Sequence, residues 1–318
     1  MKGLEIAKDF FLNWGKPFLE QEFPQLAKRV AAGRLMGSDV IGADDEISQD
    51  HNWGPQFSLF LSEDDFSCSG EQLSERMNAG APTKWKDYRV AGAGDKSVIV
   101  ESVPRWIRQN IGFSEPPHKD EDWGLIVRDR RYGGFIEARE SALYFLKHGA
   151  IWLDNNEEFS QWRRTLRYYP ENVWYGRLAE ESFRLWQYGE YNFVQRIAKR
   201  SDPIAISICL GEFTEGVMRM MLLLNKDYTP YWKWLAHEFR KLECAEQYAP
   251  LLERLLAPRD TDEQVELVKQ LCGDIHERIL SLGIVTGKGT SPFAKYLLPL
   301  VNDHDEFTAK AAWMSSMN

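Results

Sequence analysis

Apolar positions along the chain fall into two regimes. Up to about residue 110, short apolar blocks stand between glycine-rich and acidic turns; from Trp123 onward apolar residues recur at helical spacing almost without interruption. Phe18, Phe23, Leu26 and Val30 predict a helix from residue 3 to about 32, broken at Gly15-Lys16-Pro17. Gly33 to Pro55 holds too many turn-formers and acids for regular structure. Phe57 to Leu61 is the first clear strand, and Ser69 to Ala79 reads as a helix with Ser69 as N-cap. Tyr88–Val90 and Ser97–Ser102 are β-rich pieces around the turn AGAGD, and Arg105 to Asn110 is a helix stopped by Gly112. The change of pattern near Arg130–Gly134 divides the chain into a mixed α/β part, 1–133, and a helical part, 134–318. The expected class is therefore α+β, a small mixed sheet with helices followed by a helical bundle. No repeat period suggests a solenoid.

Composition narrows the chemistry. Of 318 residues 43% are hydrophobic and 27% charged, the balance of a globular protein. A net charge of −9 argues against holding a long nucleic acid, whose affinity comes from cations neutralising phosphates. A local basic cleft for one nucleotide is compatible with it. Cys68, Cys209, Cys244 and Cys272 form no CxxC pair, which suggests neither a disulfide framework nor a zinc site and fits a cytoplasmic location. The six histidines include no HxH or HxxxH pair. Glu5 and Asp9 interrupt the first apolar run, so a signal peptide is not expected, and no apolar run is long enough for a membrane span.

The candidate chemistry lies in Met36 to Leu61, MGSDVIGADDEISQDHNWGPQFSLFL. A Gly-Ser pair lets backbone approach phosphate oxygens and offers amide and hydroxyl donors. Two carboxylates spaced i, i+2 on a strand point to one side and could hold the same Mg²⁺ pair; the positions in question here are Asp50 and Asn52. The bland reading of the same run is an acidic surface loop. The spacing of Gly37-Ser38 and Asp50, with the accompanying DHNWGP and the strand behind it, resembles the nucleotidyltransferase superfamily and within it the DUF4037 family. RYYPENVWYGRLAE, 167 to 180, and LLNKDYTPYWKW, 223 to 234, resemble further segments of that family. The resemblance implies an architecture like that of antibiotic-modifying nucleotidyltransferases. It also implies Mg²⁺ or Mn²⁺, an NTP substrate and a hydroxyl-bearing small-molecule or protein acceptor.

Carried onto this chain, the pattern makes Gly37 and Ser38 the phosphate turn and Asp50 a metal ligand. Asn52 stands where the family has a second carboxylate; its carbonyl can coordinate Mg²⁺ but brings no charge, and hard cations favour anionic oxygen. A catalytically degenerate nucleotide binder is the alternative that this residue raises. Glu101, in SVIVESV, is the candidate third carboxylate or a strand-end surface residue, and Asp44 could compensate for Asn52 or sit in a turn. By alternation His51 and Trp53 face away from Asp50, which suits packing. In the helical part Thr229 and Pro230 predict a helix start, the threonine as N-cap. Tyr231 and Lys233 there either meet a triphosphate or belong to an ordinary aromatic helix. GIVTGKGTS, 283 to 291, lacks P-loop spacing.

Overall fold

The structure is a computed structural model, and it describes residues 2–49, 53–90, 96–123, 135–257 and 260–283. The chain divides into two compact units. One comprises Met1–Pro117 with Ser141–Arg167; the other comprises His118–Glu140 with Tyr168–Asn318. The α+β class stands: a small mixed sheet with helices, then a helical region. The sequence reading put a single boundary at residue 133, whereas the first unit takes back Ser141–Arg167 because a strand in that stretch joins its sheet.

In the first unit, helices α1 (Gly3–Phe10) and α2 (Lys16–Glu22) are joined by a π-helical turn, Phe11–Gly15. The wider turn accommodates Pro17, which has no N–H to give to the preceding turn. The helix ends at Glu22 rather than near 32, and Ala31–Arg34 is strand β1. Then come β2 (Phe57–Leu61), α3 (Glu63–Gly80), the hairpin β3 (Lys84–Trp85) and β4 (Tyr88–Arg89), β5 (Val98–Ser102) and α4 (Val103–Asn110). Helix α3 starts six residues before the expected Ser69: the hydroxyl of Ser62 accepts from Asp65 N at 3.2 Å, and Glu63, Asp64 and Asp65 fill the first turn. Helix α5 (Phe135–His148) leads to β6 (Ala150–Asp154), a strand in a region whose pattern is almost entirely helical, followed by α6 (Glu158–Thr165).

The sheet order is β5-β2-β1-β6, with β2 and β5 parallel and β1 antiparallel to both β2 and β6. Phe57, Leu59, Leu61, Val98 and Ala32 bury one face against Phe10, Phe11, Leu19, Leu73 and Met77 of the helices. The other face carries Ser58, Phe60, Ile99 and Glu101, and Phe60 meets Phe159 of α6 at 5.2 Å between ring centroids. β1 is one of the two inner strands, and its Ala-Ala-Gly run lets β6 approach closely. A Cβ on Gly33 would stand 2.1 Å from the carbonyl oxygen of Ala150, beside the register shift between Ala32 and Gly33. Gly33→Ala should therefore prise β1 from β6 and cost about 2–3 kcal/mol, read as a lower denaturation midpoint. A midpoint equal to that of the parent protein would refute the close approach.

The second unit is helical. α7 (Glu171–Leu185) continues through a π-helical segment, Trp186–Ile197, into α8 (Ala198–Arg200). Then follow α9 (Pro203–Leu224), α10 (Trp232–Phe239), α11 (Ala245–Leu256) and α12 (Thr261–Ser281). Asp202 caps α9 through Ile204 N at 2.9 Å and Ala205 N at 3.3 Å. Met220 to Leu223 are buried, as their pattern predicts. No helix of the described residues is long and apolar enough to cross a membrane.

Candidate functional site

The Gly-Ser pair leaves β1 as a turn. Gly37 has φ 138°, in the region that favours glycine, and Val40 N donates to its carbonyl at 3.2 Å. Ala43 N donates to Ser38 O at 2.8 Å, and the Ser38 hydroxyl reaches Ser48 O at 3.3 Å. The acids that follow divide sharply. Asp45 and Glu46 are exposed, whereas Asp39 and Asp44 are buried.

Asp39 meets Arg34 of β1, Nε to Oδ2 at 2.6 Å. Burial pushes its carboxyl above the usual aspartate range, with the Arg34 guanidinium pulling the other way. Asp44 fixes the far side of the loop. Its side chain is 1% exposed and accepts from Gly3 N at 2.8 Å, Lys2 Nζ at 2.9 Å and Trp53 Nε1 at 3.3 Å. Burial alone would raise it, but those three donors together hold it below its ordinary value. Asp44 thus caps α1, a role the residue pattern did not reveal, and its oxygens are committed to donors rather than open to a metal or an acceptor. Trp53 is half-buried against Tyr88, with 5.4 Å between ring centroids. Asp50, His51 and Asn52 lie outside the described residues, as does the 284–291 part of the glycine-rich turn. Among the described residues no group of three or more His, Cys, Asp or Glu is placed to hold a metal ion.

Glu101 stands on β5 opposite Phe60, which in turn pairs with Ala31. The Gly-Ser turn leaves β1 beyond Arg34, roughly 10 Å of strand from that row. The register therefore does not bring Glu101 beside Gly37 and Ser38. It is half-buried, and burial raises its carboxyl above the normal range against the opposing charge of Arg105.

In the second unit the expected helix start moves by two residues. Tyr231, not Thr229, is the N-cap of α10, and no side chain caps it. Thr229 is buried, its N–H directed at Glu140 Oε1 at 3.4 Å, so its hydroxyl does not serve the helix. Tyr231 is 41% and Trp232 59% exposed, their rings 5.6 Å apart, and exposed Lys233 follows with its Nζ 4.7 Å from the Trp234 ring.

Also missed was a buried charge network. Its helical pair Glu215–Arg219, four residues apart on α9, closes at 2.6 Å. Around it, Arg177 Nη2 donates to Glu140 Oε2 at 3.0 Å and its Nη1 pairs with Glu180. Arg219 lies 3.7 Å from Glu140, Arg184 joins Glu212 at 2.7 Å and Glu215 at 2.9 Å, and Tyr169 OH donates to Glu140 at 3.1 Å. Farther along the chain, Arg196 stacks on Tyr191 at 3.7 Å and Arg200 is exposed.

Comparison with known proteins gives three findings. No curated protein matches the chain in sequence. Among solved structures, a nucleotidyltransferase-like protein from Exiguobacterium sibiricum 255-15 is similar at 14% identity, over 92% of this chain and 81% of that one, with a TM-score of 0.36. Residues 135–235 match the family model "Domain of unknown function (DUF4037)"; the Gly-Ser loop lies outside the matched span, and the buried charge network lies inside it. The resemblance to DUF4037 read from the separated motifs is thus shown over residues 135–235.

Proposed function

We propose that the chain is a nucleotidyltransferase, moving an NMP group from an NTP to a hydroxyl of a small-molecule or protein acceptor. The observation that carries this reading is the Gly37–Ser38 turn: a glycine at φ 138° three residues past the end of β1, in a loop held from both sides by buried aspartates and followed in sequence by Asp50 and β2. A turn fixed in this way costs little further ordering when phosphate arrives. Its backbone and the Ser38 hydroxyl would orient the triphosphate.

Asp50 and Asn52 offer one carboxylate and one amide carbonyl, a donor set that fits a single Mg²⁺ or Mn²⁺ better than a pair. Such an ion, when bound, would neutralise phosphate charge. In the transfer itself the acceptor oxygen bonds to the α-phosphorus as the bond to the bridging oxygen breaks, and pyrophosphate leaves. The hydroxyl proton passes to solvent water, since Glu101, whose burial makes it a better base than a free carboxylate, stands a strand's length from the turn. Asp44, tied to three donors, is a loop anchor in this scheme. The four free cysteines suit a reducing cytoplasm.

The test is pyrophosphate release from ATP and GTP with Mn²⁺ over a panel of hydroxyl acceptors. The parent protein should turn over, and Asp50→Ala should lose at least about a hundredfold, as removal of the one charged metal ligand would require. Equal rates in the two proteins would reject the assignment of Asp50.

A second reading is favoured by Asn52 and by the position of Glu101, a strand's length from the turn: a member that binds nucleotide without transferring anything. Under it Asn52→Asp would gain pyrophosphate release that the parent lacks. A parent already active, and unimproved by the change, excludes it.

A further inference from the structure

The carboxylate immediately after the Gly-Ser pair is harder to account for than its neighbours. The Asp39 side chain is 0% and that of Arg34 5% exposed. One oxygen of Asp39 takes the 2.6 Å bond from Arg34 Nε; the other, Oδ1, is buried and accepts no hydrogen bond. From Arg34 the contacts continue. Nη1 donates to Gln56 Oε1 at 2.9 Å and approaches Gln56 O at 3.4 Å, and Gln56 Nε2 donates to Lys96 O at 2.7 Å. These contacts form a polar strap from the turn across the residues that lead into β2 and β5, at the end of the sheet where the Gly-Ser turn leaves β1.

Stability does not explain the strap. A buried ion pair is commonly matched or bettered by apolar side chains of similar volume, because both charges must be stripped of water. An orphaned carboxylate oxygen adds a further penalty. What a guanidinium fork supplies, and apolar packing does not, is direction: it fixes one carboxylate and one amide in a single mutual orientation. Asp39 is one residue from Ser38, so any freedom in its backbone becomes freedom in the turn.

We propose that Arg34, Asp39 and Gln56 are positioning residues that hold the Gly37–Ser38 turn in its phosphate-receiving shape before a nucleotide binds. The proposal rests on the nucleotide reading for what the turn receives, but not for the holding of the turn. None of the three need touch the ligand; they act through Gly37 and Ser38.

The test uses the full chain and the double substitution Arg34→Met with Asp39→Leu, which keeps apolar volume and removes both charges. Three quantities are read: the melting temperature, amide hydrogen exchange in peptides covering Gly37–Ala43 and Phe57–Leu61, and the Kd for Mn-ATP by calorimetry. The expected result is a folded protein with a melting temperature near that of the parent and unchanged exchange in β2. Exchange in the turn should be about tenfold faster and the Kd about tenfold weaker or more, as misplacement of a binding group produces. A merely structural pair would lower the melting temperature and leave the Kd of the folded protein alone, which overturns the proposal. So does unaltered exchange in the turn. If the double variant does not fold, Gln56→Leu cuts the strap at a half-buried residue and the same three readings decide. A parent protein that binds no nucleotide defeats the nucleotide reading, and the exchange measurement still decides whether the strap holds the turn.

Discussion

Arg177→Met should destabilise the helical unit by about 3–5 kcal/mol, the usual cost of removing one partner from a buried ion pair. Arg177 is 3% exposed and serves two carboxylates, Glu140 and Glu180, that are equally buried. Burial works against its charge, but those carboxylates outweigh burial and hold it more firmly protonated than a free arginine. With the guanidinium gone, Glu180 loses its pair with Arg177, and Glu140 keeps Tyr169 OH, Thr229 N and Arg219 at 3.7 Å. The remaining contacts do not replace a bond at 3.0 Å from a fork. Arg177→Lys should recover only part of the loss, since an ammonium cannot meet both carboxylates in one plane. The control is Arg76→Ala, whose pair with Glu22 is largely exposed and should be worth under about 1 kcal/mol. Chemical denaturation of the three variants measures all of this. If Arg177→Met lies within about 1 kcal/mol of the parent, the network carries no such energy.

A second large effect is expected at Asp44. Asp44→Asn keeps the shape but withdraws the charge from Lys2, the α1 N-terminus and the Trp53 indole, at a cost of about 1.5–3 kcal/mol near neutral pH. The pH dependence has a definite sign. Asp44 is lowered on folding from its ordinary 3.8, so its contribution is fully present above that value and disappears as pH falls through the folded pKa. The stability difference between parent and Asp44→Asn should therefore be flat above about pH 5 and shrink below about pH 4. A difference that grows on acidification would contradict the assignment. Asp39 and Glu101 act in the opposite sense: their raised values mean that ionisation costs stability as pH rises through them.

How much of this was legible depended on whether local residues or distant partners decide the conformation. Phe57–Leu61 and Val98–Ser102 were readable because apolar residues in short blocks between turn signals have few other uses. Ala31–Arg34 was not: Ala-Ala-Gly-Arg has no strand preference, and it is a strand because β2 and β6 close on both sides of it. The residue pattern starts α3 at Ser69, whereas Glu63-Asp64-Asp65 is its acidic first turn, where negative charge suits the helix dipole. Thr229-Pro230 carried a genuine helix-start signal that burial beside Glu140 overrode. In the candidate site Gly37 and Ser38 were visible as a motif. Which of the loop's aspartates turn inward was not, because Asp39 depends on Arg34 and Asp44 on the chain's first residues, 41 and 42 positions away.

The account turns on whether the Gly-Ser loop receives a nucleoside triphosphate, and calorimetric titration of ATP and GTP into the whole protein, with and without Mn²⁺, asks this most directly. The account predicts one saturable site, tighter with Mn²⁺, and weakened at least about tenfold by Asp50→Ala. No binding of either nucleotide, with or without the metal, would contradict it.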